Sequence, residues 1–99
     1  MPPIIDEFRA SVSARQHMIV KHDVTPEEAA EAAQSTQQHY RTYSDGIGER
    51  RYVVAGKTSG GRRLWVVFTD EGDRRGRIIT AFDPVNQKDR ARHRRMRGD

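Results

Sequence analysis

The stretch from residue 51 to residue 83, RYVVAGKTSGGRRLWVVFTDEGDRRGRIITAFD, leaves few folds open to this chain. It holds short apolar runs at 52–55, 64–69 and 78–82, rich in β-branched and aromatic residues. Glycine- and charge-rich turns bound them, and runs of this kind read as strands. The gaps are too short for a helical crossover, so neighbours are expected to pair antiparallel as a meander. The middle run is apolar on both faces, with Leu64, Val66 and Phe68 on one and Trp65, Val67 and Thr69 on the other. That pattern marks it as the central strand. On the first run Tyr52 and Val54 share a face, opposite Arg51 and Val53. Strict alternation on the third puts Arg77, Ile79 and Ala81 opposite Ile78, Thr80 and Phe82. The turns are expected at Ser59-Gly60-Gly61 and Glu71-Gly72-Asp73.

The rest of the chain is expected to pack on this sheet or hang from it. Residues 1–10 fit an amphipathic helix or a short strand, and the segment is too short for periodicity to choose. Ser13 and Gln16 form an S-x-x-Q capping box, which predicts a helix from about Ala14 to Lys21 that buries Met18 and Ile19 and is broken by Asp23. Thr25, Pro26 and Glu28 form a stronger start signal. Glu27, Glu28 and Glu31 suit the positive end of that second helix. Val24 is placed as the outer half of a hydrophobic staple on Ala29. The second helix is expected to reach Gln38, with an apolar face made only of Ala29, Ala30, Ala32 and Ala33. Residues 39–50, with Gly46 and Gly48, read as a loop, and Gln87 to Met96 as a basic helix.

Ninety-nine residues make one small domain. Hydrophobic residues are 34% and charged residues 32%, so the core must be thin: one sheet face under helices. The absence of cysteine excludes disulfides and thiolate chemistry. No run has the length of a membrane span, and the N-terminus lacks the apolar core of a signal peptide, so a cytoplasmic protein is expected. Residues 86–99 carry six Lys/Arg against Asp89 and Asp99, which is the whole net charge of +4. Such a tail either meets nucleic acid or an acidic partner, or is a solvated end. The division expected is therefore a domain at 1–85 and a basic helix or tail at 86–99.

Arg77, entering an apolar strand, is either a charge guarding an edge strand or a rigidly held phosphate ligand. Lys57, Arg62 and Arg63 flank the first hairpin, and Arg74 and Arg75 the second. Gly60-Gly61 is not a phosphate loop, because no helix follows it. His17 and His22 are five apart and do not share a helical face for a metal. No cluster has metal-ligand spacing, so no metal and no cofactor are expected.

Two segments together resemble the BrnT toxin family. One is HMIVKHDVTPEEAAEA at 17–32, and the other is RRYVVAGKTSGGRRLWVVFTDEGD at 50–73 continuing to RIITA at 77–81. The resemblance implies a RelE-like α+β fold: a small antiparallel sheet of three to four strands, two N-terminal helices packed on it, and a basic C-terminal helix. It also implies a first strand at 4–9. Functionally it implies a type II toxin that cleaves RNA without a metal and is neutralised, as a hetero-oligomer, by a cognate DNA-binding antitoxin. The family positions matched here are Lys21, His22, Glu28, Arg62 or Arg63, Arg77 and Thr80. Metal-free cleavage needs a base for the ribose 2′-hydroxyl, a cation for the phosphorane and an acid for the leaving oxygen. On that chemistry Arg77 is the cation, His22 the base or acid, and Arg63 a further catalytic residue. RNA contacts are expected from Lys21, Lys57, Arg62, Thr80, Arg90 and Arg94.

The chain departs from the family pattern. Phe82 stands where an arginine is usual, Asp23 where a glycine is, and Ala10 where an early aromatic is often found. Residues 86–99 lack the glutamate and tyrosine of the last family helix. Phe82 and the concentrated tail charge motivate a second reading, a relative that binds protein or RNA without cleaving it.

Overall fold

A computed structural model describes residues 3–42 and 50–99. In chain order the elements are β1 (Glu7–Ala10), α1 (Val12–His22), α2 (Pro26–Gln34), β2 (His39–Thr42), β3 (Arg51–Lys57), β4 (Arg63–Gly72), β5 (Arg75–Phe82) and α3 (Gln87–Arg97). The strands form one sheet in the order β1-β5-β4-β3-β2, with β4 at its centre as expected. Strands β2 to β5 are the antiparallel meander. The sheet is nevertheless mixed and five-stranded, not an antiparallel sheet of three to four strands, because β1 joins β5 in parallel. The α-helical detour between β1 and the meander makes that parallel pairing possible. Strand β2, HYRT, was expected as loop. An edge strand with one buried residue carries too little apolar signal to be read, and Gly46 and Gly48 lie outside the described residues.

Helix α1 starts one turn-fraction earlier than its expected capping box. Ser11, not Ser13, is the N-cap and accepts from the Ala14 amide at 3.1 Å. The helix ends as expected at Asp23, which adopts the left-handed conformation with φ 54°. Met18 is fully buried, but Ile19 is 50% exposed, contrary to expectation. Helix α2 has the reciprocal Thr25–Glu28 box with Pro26 in the first turn. It stops at Gln34 rather than Gln38. The polar residues that follow are used elsewhere: Gln37 donates to the Ile5 carbonyl, and Ser35 accepts from the Lys57 amide and bonds the Ala32 carbonyl.

Ala29, Ala32 and Ala33 of α2 are buried in one core cluster with Val24 and with Val54, Leu64, Val66 and Phe68 of the sheet. The approach is close because Gly56 of β3 faces Ala32: a Cβ there would lie 2.8 Å from the Ala32 Cβ. The β4–β5 turn is Asp73-Arg74, one residue later than read, with both φ values positive (53° and 60°). Two-residue hairpin turns need that twist. Arg74 is held there by Asp6 (Nε to Oδ2, 2.6 Å), which also ties the start of β1 to this turn. No helix among the described residues is long and apolar enough to cross a membrane.

Candidate active site

The site depends on an irregularity in β5. Val67 pairs with Thr80 and Phe68 with Ile78, so Ile79 is an extra residue in the ladder. A bulge of this kind shifts the alternation by one. The expected faces of β5 are therefore corrected: Ile78 and Ala81 point into the core, while Arg77, Thr80 and Phe82 share the opposite face with Thr69, Val67 and Trp65. Two positions expected to act on RNA, Arg77 and Thr80, are thereby brought together.

They line a groove of about 400 Å³ between β5 and the first turns of α1, whose other wall is Ser11, Ser13, Ala14 and His17. Arg77 is half-exposed and makes a loose ion pair with Glu71 (3.5 Å). The Thr80 hydroxyl is buried and has no hydrogen-bond partner among the described residues. His17 was not among the expected site residues. Its ring meets that of His22 at 5.2 Å, and His22 meets Phe82 at 5.6 Å. A spacing of five does not align two residues on a helix, but the last turn of α1 lets the two imidazoles converge. The sequence signal that could have found His17 is its place four residues after Ser13, on the helix edge that turns toward β5.

Arg62 is placed outside this groove. It donates to both oxygens of Asp83 (2.9 and 2.7 Å), to Glu28 (3.1 Å) and to the Asp23 and His22 carbonyls (2.9 and 3.4 Å). These bonds hold the Asp83 carboxyl below its ordinary pKa, with His22 adding a smaller pull in the same direction. Glu28 is lowered as well, first by the Thr25 amide and then by Arg62. Arg62 and Glu28 therefore join the α1–α2 corner to the end of β5, and so position the backbone of His22. Arg63 faces α3, where it pairs with Asp99 at 2.8 Å and donates to His93 Nδ1 at 3.3 Å. Lys57 lies opposite Arg63 across the β3–β4 pair. Lys21 is exposed on the last turn of α1, and Arg90 and Arg94 are exposed on α3. The geometry thus gathers Arg77, Thr80, His17 and His22, and leaves Arg63, Lys57, Arg90 and Arg94 on the α3 side.

A strand-borne guanidinium, a hydroxyl and one imidazole thus line a single groove, with the ring of His22 against that of His17. The comparison with known families gives the class of protein. Residues 12–89 match the model of the ribonuclease toxin BrnT of type II toxin–antitoxin systems, and the chain belongs to that family. The fold is similar to the crystal structure of the Brucella abortus ribonuclease toxin BrnT, at 15% identity and a TM-score of 0.60. That similarity covers 81% of this chain and 97% of the Brucella one. No functionally curated protein matches the sequence.

Proposed function

We propose that this toxin cleaves RNA without a metal in the α1–β5 groove, and that Arg77 is its principal catalytic residue. The supporting observation is that Arg77, Thr80 and His17 line one groove. One imidazole of the His17–His22 pair takes the proton of the ribose 2′-hydroxyl, and its oxygen attacks phosphorus. Arg77 stabilises the charge that accumulates on the phosphorane, and the Thr80 hydroxyl donates to a phosphate oxygen. The 5′-oxygen leaves with a proton from the second imidazole, so a cyclic phosphate and a 5′-hydroxyl result. Lys21 lies one residue from His22 and guides the RNA backbone. Arg63, Lys57, Arg90 and Arg94 supply long-range attraction from the α3 side. The partner is an antitoxin that also binds DNA, and the pair acts in the cytoplasm.

The test is RNA cleavage by purified protein in excess chelator. Arg77→Ala and His17→Ala are each expected to lose roughly a hundredfold or more of the rate, with the circular dichroism spectrum unchanged. Full activity of folded Arg77→Ala would defeat this assignment. Phe82 favours one other reading. It places an apolar ring against His22 where the family has a cation, and a protein that binds RNA without cleaving it would show saturable binding and no product.

A further inference from the structure

Helix α3 turns a single kind of charge outward. Its exposed side chains are Gln87, Lys88, Arg90, Arg92, Arg94 and Arg95, and all but Gln87 are cations. None of these cations pairs with a carboxylate among the described residues. Elsewhere the fold neutralises its arginines: Arg9, Arg62, Arg63, Arg74, Arg75 and Arg97 each lie within 3.9 Å of a carboxylate. The charge on α3 does not serve the helix itself. Arg94 and Arg95 suit its negative C-terminal end, but Lys88 and Arg90 stand in the first turn, where the dipole repels them. Lys88 and Arg92, like Arg90 and Arg94, are like charges four residues apart and repel as well. A bound polyanion would relieve both costs. Nor is the helix a loose end. It is anchored to the sheet through Tyr40, the Ala55 carbonyl and Trp65, and His93 is fully buried beneath it. Its eleven residues make a rigid element about 16 Å long.

At about 100° per residue these cations fall on two ridges. Arg90 and Arg94 form one, and Lys88, Arg92 and Arg95 form the other. Between them runs a narrow strip of Gln87 and Ala91. A matching ligand carries two lines of anions with room for a helix between them. The major groove of B-form DNA is about 12 Å wide, is bounded by two phosphate strands and admits an α-helix. The major groove of an RNA duplex is too narrow for this. An unpaired strand needs aromatic rings on which its bases stack, and the exposed side of α3 has none. A protein partner needs an apolar centre, and the strip offers only the half-buried Ala91. Four of the five cations are arginines, whose forked donors match phosphate oxygens.

We propose that the outer side of α3 binds duplex DNA, with its two cationic ridges on the phosphate strands of the major groove and the Gln87–Ala91 strip toward the groove floor. Phosphate contacts carry no base code, so this binding is largely independent of sequence. The surface is distinct from the cleavage groove, whose walls are α1 and β5, and the proposal stands whether or not the ribonuclease reading does.

The experiment titrates the full chain against a fluorescein-labelled DNA duplex two helical turns long and follows anisotropy between about 50 and 200 mM salt. DNA has no 2′-hydroxyl, so it is bound without being cut. The double variant Arg90→Ala with Arg94→Ala removes one ridge, and Lys88→Ala with Arg95→Ala thins the other. All four positions are exposed, so neither variant disturbs the core. Each is expected to weaken binding about tenfold and to flatten the log–log salt slope by about 1.8, the value for two phosphates. Arg9→Ala with Arg75→Ala removes the same charge from exposed positions on β1 and β5 and should leave affinity and slope nearly unchanged. The Lys88→Ala, Arg95→Ala protein should also cleave RNA at the wild-type rate. Absence of binding at the lowest salt, unchanged affinity and slope in both α3 variants, or an equal loss in the Arg9, Arg75 control would each overturn the proposal. So would equal affinity for an RNA duplex of the same sequence, or equal competition by polyglutamate. If RNA cleavage fails while the expected shifts appear, the ribonuclease reading falls and this one stands.

Discussion

Arg62 stands among the side chains expected to meet phosphate, yet each of its three guanidinium nitrogens already has a partner. Its charge is stabilised in the fold by the Asp83 hydrogen bonds first and Glu28 second. The bonds join groups more than twenty residues apart, so nothing in the local pattern of Arg62-Arg63 could separate a buttress from an RNA contact. Removing it strands two carboxylates and two carbonyls that are only partly solvated. Arg62→Ala is therefore expected to lower stability by about 2 kcal/mol, read as a shift of the urea midpoint at constant slope. A lysine there cannot reproduce the forked geometry, so Arg62→Lys should recover only a small part of that loss. His17 makes the complementary point. Its spacing from His22 argued against a shared metal site, and only the turn at the end of α1 brings the rings together.

Helix α2 and strand β3 show how a thin core is closed. An all-alanine face buries little area per residue and must come close to gain contact. Gly56 permits this, since a side chain there would also press on the Ala32 carbonyl oxygen. Overpacking of this kind typically costs about 1–3 kcal/mol, and Gly56→Ala is expected to fall within that range in a denaturant melt. Gly60→Ala is the control: its Cβ would meet only Thr58 Oγ1, at 3.8 Å, an ordinary contact. That variant should melt with the wild type. The Thr25–Glu28 box and the Asp23 stop were legible because caps are local chemistry. The bulge at Ile79 was not, because it exists only in the pairing of β5 with β4.

The C-terminal helix makes the fold one unit. Trp65 bonds Asp89, Tyr40 bonds the Met96 carbonyl at 2.7 Å, and Arg97 bonds the Ala55 carbonyl at 3.1 Å. At its centre His93 is fully buried, with Nε2 donating to the Leu64 carbonyl at 3.0 Å and Nδ1 accepting from Arg63. Burial, and secondarily the Arg63 charge, push its pKa below the ordinary histidine value. Burial does the same to His39. Unfolding at pH below about 6.5 therefore takes up protons that the folded state excludes. Their stability is fully present above that pH and is lost as pH falls through the lowered folded values. Thermal melts between pH 7.5 and 5 should show a falling Tm, and His93→Gln should be less stable at pH 7.5 and shallower in its pH dependence. The lowered carboxylates Glu28, Asp83 and Asp99 act below about pH 4.5 and do not confound this window.

The meander, its central strand, the caps of α2, the stop at Asp23 and the family motifs were all readable from the chain, because strand composition, turns and capping depend on near neighbours. The family motifs also pointed to Arg77 and Thr80. Three matters depended on distant segments meeting: which residues of β5 face outward, which arginines are bound by carboxylates, and that histidines in polar surroundings are buried. Hydrogen-bond registers and ion pairs between remote elements have no short-range signature, so the groove that unites Arg77, Thr80 and His17 emerged only when helix, bulge and sheet were assembled.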